Sequence, residues 1–409
     1  MHHKSEIYSL LVFFSGMMTP FLIIGQTRET NSQKIEVTPI SLGEKITIES
    51  EIYAGNRNVL VSLPATYNQN DQRYPVVYFT DASVSRLQQL RGLTAAQTEN
   101  GKMPEVILVG VVHERRDREL TPSGEYMQLY DGKLYRPGDE TGGADSLLRF
   151  FEEEIIPFVE RKYRTNPSRI YIGHSHGGLF GFYSLLTKPG LFNGSILVDP
   201  SLWWNQGGLI DTLESGIKQN NQQELSLFIS FTGFTTQTPR ERLKKLFRKQ
   251  PVAGINFAMV DFTGKETHQS AFLPTVREGL GFLFKPWQLP TDAAGETDFS
   301  SLTVALLDTH YSRKTLGFVY PVPEQFINAL GYNRLYDGKN EEAIAIFREN
   351  TIRYPGSANT WDSLGEAFER SGRIPEASQA YGKAVETAKL AGDPGLSIYE
   401  NNLARVKFR

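Results

Sequence analysis

Ser175 lies in the run Gly173-His174-Ser175-His176-Gly177, inside RIYIGHSHGGLF. A serine with a glycine two residues to either side has the spacing of a nucleophile elbow. A strand must enter that turn and a helix must leave it, and RIYIG followed by GGLFGFYSLL reads that way. Gly173 and Gly177 leave room where strand and helix backbones cross. The helix begins near His176, so its unpaired N–H groups face the site and the His176 amide is placed to donate to an oxyanion.

A serine hydroxyl needs a base near neutral pH. Beyond the first residues the chain has His113, His174, His176, His268 and His310. His174 and His176 flank the serine, and at an elbow adjacent side chains diverge from its hydroxyl. His113 follows the VILVGVV run and His310 lies far along the chain. His268, in GKETHQ after the strand-like INFAMVDF, is the expected base, since the order serine, acid, histidine puts the histidine after the last strand. The acid stays open among Asp199, Asp211, Glu214, Glu224, Glu241, Asp261 and Glu266. Its usual place is the loop after LSLFISF, here TGFTTQTP, which has no carboxylate. The second oxyanion amide is expected from Asp81 or Ala82, where YPVVYFTDAS ends a strand.

The elements that must hold these groups are short apolar runs alternating with helical stretches from about residue 44 to 287. NVLVSLP, YPVVYF, VILVGVV, RIYIG, GSILV, LSLFISF and INFAMVD read as strands, several too continuously apolar to leave a face in water. DSLLRFFEEEIIPFVERKY reads as a helix. The pattern predicts an α/β fold with a mostly parallel sheet covered on both faces.

Length and composition bound the rest. A chain of 409 residues suggests more than one domain. A net charge of −3 gives no basic surface for nucleic acid. With no cysteine, disulfides, thiolate metal sites and a lipoprotein leader are excluded. No metal or cofactor is expected. Residues 1–26 open with a basic MHHK and an uncharged IYSLLVFFSGMMTPFLIIG, the layout of a secretory signal or a membrane tether. Export to the periplasm or outside follows from either.

Residues 288–301 (QLPTDAAGETDFSS) read as a linker, and 302–409 as an all-α domain with an internal repeat. Leu330, Gly331, Gly338, Ala343 and Phe347 recur 34 residues later as Leu364, Gly365, Gly372, Ala377 and Tyr381. With Trp361 and Phe368, this fits two tetratricopeptide repeats. They are expected either to brace the first domain or to offer a surface for a protein partner or self-association.

The α/β region resembles the esterase family around the enterochelin (catecholate siderophore) esterases. The residues that carry the likeness are YPVVYFTDA, RRDRELTPS, the long run from GGADSLLRFF through GHSHGGLFGF to DPSLWWN, and ETHQSAFLPTVREGLGFLF. The resemblance spans about Ile46 to Trp287. It implies an α/β-hydrolase fold and ester hydrolysis, with Ser175 as nucleophile and His268 as base. It matches Arg116 and Arg118 to an arginine pair ahead of LTP, and Trp203 and Trp204 to a PSLWW segment. These four are expected to contact substrate: the arginines a carboxylate or phenolate, the indoles an aromatic wall. The chain departs from the family in DAS after YFT, in the missing acid after LSLFISF, and in Asp199 where a serine is commoner. The expected function is an exported serine esterase on a small-molecule ester, of siderophore or aromatic acyl type. The alternative is a degenerate hydrolase fold that binds, with its repeats recruiting a protein.

Overall fold

Each residue of a strand points to the opposite face from its neighbours, so a strand buried throughout needs cover on both sides. Strand β3 (Tyr74–Phe79) and strand β4 (Ile107–Val111) are buried at every position. The computed structural model describes residues 40–123, 127–128, 134–135, 140–214, 225–233, 237–249 and 254–407. The leader expected at residues 1–26 lies outside them. No helix among the described residues is long and apolar enough to cross a membrane.

The main sheet adds β1 (Glu44–Ser50), β2 (Gly55–Ser62), β7 (Thr165–His174), β8 (Gly194–Val198), β9 (Leu225–Phe231) and β10 (Ile255–Asp261) to β3 and β4. Their order is β1-β2-β4-β3-β7-β8-β9-β10. From β4 onward all neighbours are parallel, whereas β1–β2 and β2–β4 are antiparallel. A two-residue pair, β5 (Met127–Gln128) and β6 (Leu134–Tyr135), stands apart from it. Every strand of the sheet except β1 has an apolar run evident in the sequence. That edge strand, EKITIES, is mostly exposed and carries charges, so it lacks the apolar signature of the others.

One face packs Val76, Tyr78, Val109, Tyr171 and Leu197 against α3 (Ala144–Arg149), a π turn (Phe150–Ile155), α4 (Ile156–Lys162) and α5 (His176–Thr187). The other face packs Val77, Phe79, Ile170, Ile172 and Val198 against α1 (Val84–Glu99), α8 (Phe272–Leu283) and α9 (Val304–Tyr311). The short α2 (Arg116–Leu120) follows β4, and α6 (Gly208–Glu214) and α7 (Gln237–Lys249) flank β9.

Residues 42–409 form one compact unit. Leu289, Leu307, Leu316, Tyr320, Phe326, Ile327 and Leu330 belong to the same buried cluster as the second face of the sheet. Ser168, near the start of β7, donates to the Leu316 carbonyl at 3.0 Å and accepts from the Tyr320 hydroxyl at 2.9 Å. Gln288 donates to the Lys102 carbonyl at 3.0 Å, ahead of β4. These contacts gather where the parallel strands begin.

Beyond them come α10 (Glu324–Tyr336), α11 (Asn340–Arg353), α12 (Ala358–Arg370), α13 (Ile374–Ala391) and α14 (Leu396–Lys407), with the minor pair β11 (Lys314–Thr315) and β12 (Phe318–Val319) before them. The 34-residue repeat is visible as packing. A Cβ on Gly331 would lie 2.5 Å from Phe347, and one on Gly365 would lie 2.6 Å from Tyr381. Ala343 and Ala377, one repeat apart, are both fully buried.

Candidate active site

The site lies at the opposite end of the sheet, where the parallel strands finish. β7 delivers Ser175 with φ 59° and ψ −115°, a strained geometry for a residue with a Cβ. A Cβ on Gly173 would lie 2.2 Å from the Gly177 carbonyl oxygen, and one on Gly177 would lie 2.5 Å from Thr80 Oγ1. Both positions therefore demand glycine. The Ser175 amide donates to the Val198 carbonyl at 3.0 Å, and its own carbonyl accepts from Ser201 at 3.1 Å. Those bonds tie the turn to the end of β8. The Tyr171 hydroxyl, fully buried, donates to the Gly177 carbonyl at 2.7 Å and so accepts from Thr80 Oγ1 at 3.0 Å. Ser175 Oγ lies 3.3 Å from Ser201 Oγ.

His268 sits in the loop after β10. Its Nδ1 donates to Asp199 Oδ2 at 2.7 Å, with the Asp199 side chain fully buried. That bond leaves Nε2 of the neutral ring with the lone pair. Asp199 directly follows β8, at φ 39°. Its carboxylate accepts the Thr232 amide at 3.1 Å and also the Thr232 hydroxyl. Thr232 directly follows β9, so the place where an acid was sought holds instead a donor that grips the acid. The departure at Asp199 was the available signal: a charge next to the serine turn, one strand earlier than the usual position.

His174, the last residue of β7, supports the same loop. Its Nε2 donates to the His268 carbonyl at 2.8 Å, and the two rings pack with centroids 4.5 Å apart. Burial and the neighbouring His268 lower its pKa to about 4, so it stays neutral near pH 7.

On the other flank, the chain turns at Asp81, two residues past the end of β3, with φ 58°. The Ala82 amide donates to the Val111 carbonyl at 3.1 Å, which removes it from the expected oxyanion donors. The Asp81 amide has no acceptor among the described hydrogen bonds. The His176 amide opens α5, where no intrahelical acceptor exists.

A family described as "Putative esterase" matches residues 50–231. Ferri-bacillibactin esterase BesA of Bacillus subtilis is 30% identical over 253 residues, covering 56% of this chain and 85% of that protein. The chain belongs to this esterase family. Siderophore enterobactin esterase of Emericella nidulans is 30% identical over 195 residues, covering 42% of this chain and 64% of that one. Among solved structures, an IroE-like serine hydrolase from Shewanella oneidensis superposes with a TM-score of 0.63 at 24% identity, over 76% of this chain and 99% of that one. That likeness is one of fold.

In this esterase Arg116, Trp203 and Trp204, three of the four residues expected to contact substrate, are placed differently from the expectation. Arg116 gives Nε and Nη2 to the two Asp81 oxygens, at 2.6 and 2.9 Å, and Nη1 to Asp117 at 3.2 Å. All three nitrogens are engaged with the esterase itself. The Arg118 carbonyl accepts the Gly143 amide at 2.7 Å, joining α2 to α3. Trp203 and Trp204 are 8% and 2% exposed, so both indoles belong to the core and form no wall. They pack behind His176, with ring centroids 6.1 and 5.8 Å away. Sequence alone offers no measure of burial for two adjacent tryptophans.

The remaining candidates are accounted for elsewhere. His176 Nδ1 donates to Asp117 at 3.0 Å, His113 to Glu119 at 2.7 Å, and His310 lies 3.3 Å from the Trp287 carbonyl. Asp211 pairs with Arg242, Asp261 with Arg240, Glu241 with Lys244, and Glu266 accepts from Ser270. The Glu214 side chain and Glu224 lie outside the described residues. Among the described residues no His, Asp and Glu cluster could hold a metal ion.

Proposed function

We propose that this hydrolase is an exported serine esterase that works through Ser175, His268 and Asp199. The observation that carries the reading is the 2.7 Å hydrogen bond from His268 to the fully buried Asp199 carboxylate, with a serine on a strained turn at the neighbouring strand end. His268 Nε2 takes the Ser175 proton as Oγ attacks the ester carbonyl. The resulting oxyanion accepts from the His176 and Asp81 amides. The tetrahedral intermediate collapses, the C–O bond to the alcohol breaks, and the His268 imidazolium protonates the leaving alkoxide. Water then attacks the acyl-enzyme by the same route and releases the acid. Asp199 fixes the histidine tautomer and stabilises its cation. One oxyanion donor is worth about 3 kcal/mol in such sites.

The substrate class we propose is a siderophore ester or a related aromatic acyl ester, from the names of the similar esterases. A degenerate, binding-only fold is less favoured, since Asp199 provides a carboxylate partner for His268. The test is hydrolysis of p-nitrophenyl butyrate and labelling by a fluorophosphonate. Ser175→Ala should abolish both, and His268→Ala should suppress labelling. Wild-type protein that neither labels nor hydrolyses a broad ester panel would overturn the reading.

We read the helical region as tetratricopeptide-type and its first role as bracing, because its leading segment completes the sheet's second core. Each of those apolar side chains contributes on the order of 2 kcal/mol when buried. A chain ended at Trp287 should aggregate. Soluble, active protein of that length would instead favour an independent partner-binding role.

A further inference from the structure

Two amides without acceptors, Asp81 and His176, come from distant parts of the chain. An oxyanion needs both donors within hydrogen-bond reach of one point, about 2.7–3.1 Å from it. Each is flanked by residues bonded to the sheet and its strand ends, Thr80 to Ile172, Ala82 to Val111 and Ser175 to Val198, but neither lies within a strand. Asp81 sits on a loop in the left-handed region, and His176 is the first residue of its helix. The side chains of these same two residues meet a single element. Arg116 holds the Asp81 carboxylate with a two-pronged fork, and Asp117 accepts from both Arg116 and His176.

We propose that α2 is a positioning clamp, in which Arg116 and Asp117 hold the Asp81 and His176 backbones at the spacing the oxyanion requires, and that Arg116 is not a substrate-binding cation. This rests on the serine-esterase reading above. The clamp is itself anchored. Glu119, the fourth residue of α2, is 3% exposed and accepts from Arg57 at 2.5 Å, His113 at 2.7 Å, and the Glu114 and Arg115 amides at 3.1 and 2.9 Å. The Arg57 guanidinium lies over the Tyr53 ring, 4.2 Å from its centroid. α2 therefore presents its first two residues at the site's rim and is anchored near its other end in a buried ionic knot. The hydrogen bond from His176 also holds the Asp117 carboxyl below the usual carboxylate range, so the anion persists into mild acid.

A substrate cation and a clamp fail differently. The experiment compares neutral p-nitrophenyl butyrate with anionic mono-p-nitrophenyl succinate, in wild type, Arg116→Met, Arg116→Lys, Asp117→Asn and Ser175→Ala. For the clamp, Arg116→Met lowers kcat by roughly 10- to 100-fold on both esters and leaves KM within about 2-fold. Affinity for phenylboronic acid, which mimics the tetrahedral state, should fall by a similar factor. Arg116→Lys does not restore activity, because an ammonium cannot reproduce the fork. Asp117→Asn shows a smaller loss of the same kind. Thermal midpoints that match wild type rule out general unfolding as the cause.

Loss confined to the succinate and expressed in KM overturns the clamp in favour of a substrate cation. Full recovery in Arg116→Lys overturns it as well. A dead Ser175→Ala beside a fully active Arg116→Met sinks the clamp alone. Turnover retained in Ser175→Ala removes the serine reading and the clamp with it.

Discussion

The two flanks of Ser175 are built from opposite materials. On the base side, Asp199 and Thr232 are buried, and His174 and His268 are nearly so. The carboxylate there is fully shielded from water, and each imidazole is held by one hydrogen bond of 2.7 to 2.8 Å. On the oxyanion side the holding groups are charged and half in water, with Arg116 40% and Asp117 63% exposed. The contrast follows from the chemistry asked of each. A base must keep one tautomer while its charge changes, and a buried carboxylate in a low-dielectric surrounding enforces that. An oxyanion hole needs only fixed amides, and those can be fixed from outside.

The largest expected effect that would test this contrast is on the base side. Asp199→Asn should lower kcat by about 10⁴-fold, because the amide permits the wrong histidine tautomer. A loss under 10-fold would mean that another group orients His268.

Next comes acid stability, where the flanks should separate by pH. His174 has a folded pKa of about 4 against 6.5 unfolded. The unfolded chain therefore takes up its proton first, and stability falls as pH drops from about 6.5 to about 4. The loss amounts to about 3 kcal/mol, or roughly 10²-fold in the folding equilibrium. Denaturant melts of His174→Gln should be flatter across that window. Glu119 behaves the other way. Burial pulls its pKa up, but hydrogen bonds from His113 and Arg57 outweigh this and hold it at about 2. Its stabilisation is complete above about pH 4.5 and is lost only as pH falls toward 2, so the α2 anchor should outlast the base side in acid. Equal slopes in His174→Gln and wild type would break the distinction.

A third expectation concerns Thr232. Thr232→Val removes one donor to Asp199 but keeps the amide bond, and should cost about 10-fold in kcat. The smallest effect is on the exposed flank. Raising salt from about 0.05 to about 0.5 M should reduce kcat about 2-fold by screening Arg116 and Asp117. That sensitivity should disappear in Arg116→Met, and its survival there would place the salt effect elsewhere.

Much of the fold was legible because apolar periodicity reports burial. Seven of the eight sheet strands contain a recognisable apolar run, and the one without, β1, is an exposed edge. The elbow was legible too, since the Gly173 and Gly177 spacing is a local steric demand. The acid was not. Its usual loop is empty of carboxylates, and the residue that meets His268 lies 69 positions earlier in the chain. No local pattern records a contact at that separation. The same holds for Arg116, whose partner Asp81 lies 35 positions away, and for Trp203 and Trp204, whose burial depends on what packs above them.

By itself, then, the sequence determined the alternation of strands and helices, the glycine-bracketed serine and the 34-residue repeat, all set by spacing along the chain. The tertiary structure alone decided the rest. It put Asp199 rather than a residue after β9 against His268, and closed the Arg116 fork on Asp81 rather than leaving it for a ligand. It also merged the start of the helical region with the sheet's second core. Each of those is a choice among partners distant in sequence, made by which strand ends lie side by side and by the need of every buried charge for a hydrogen bond.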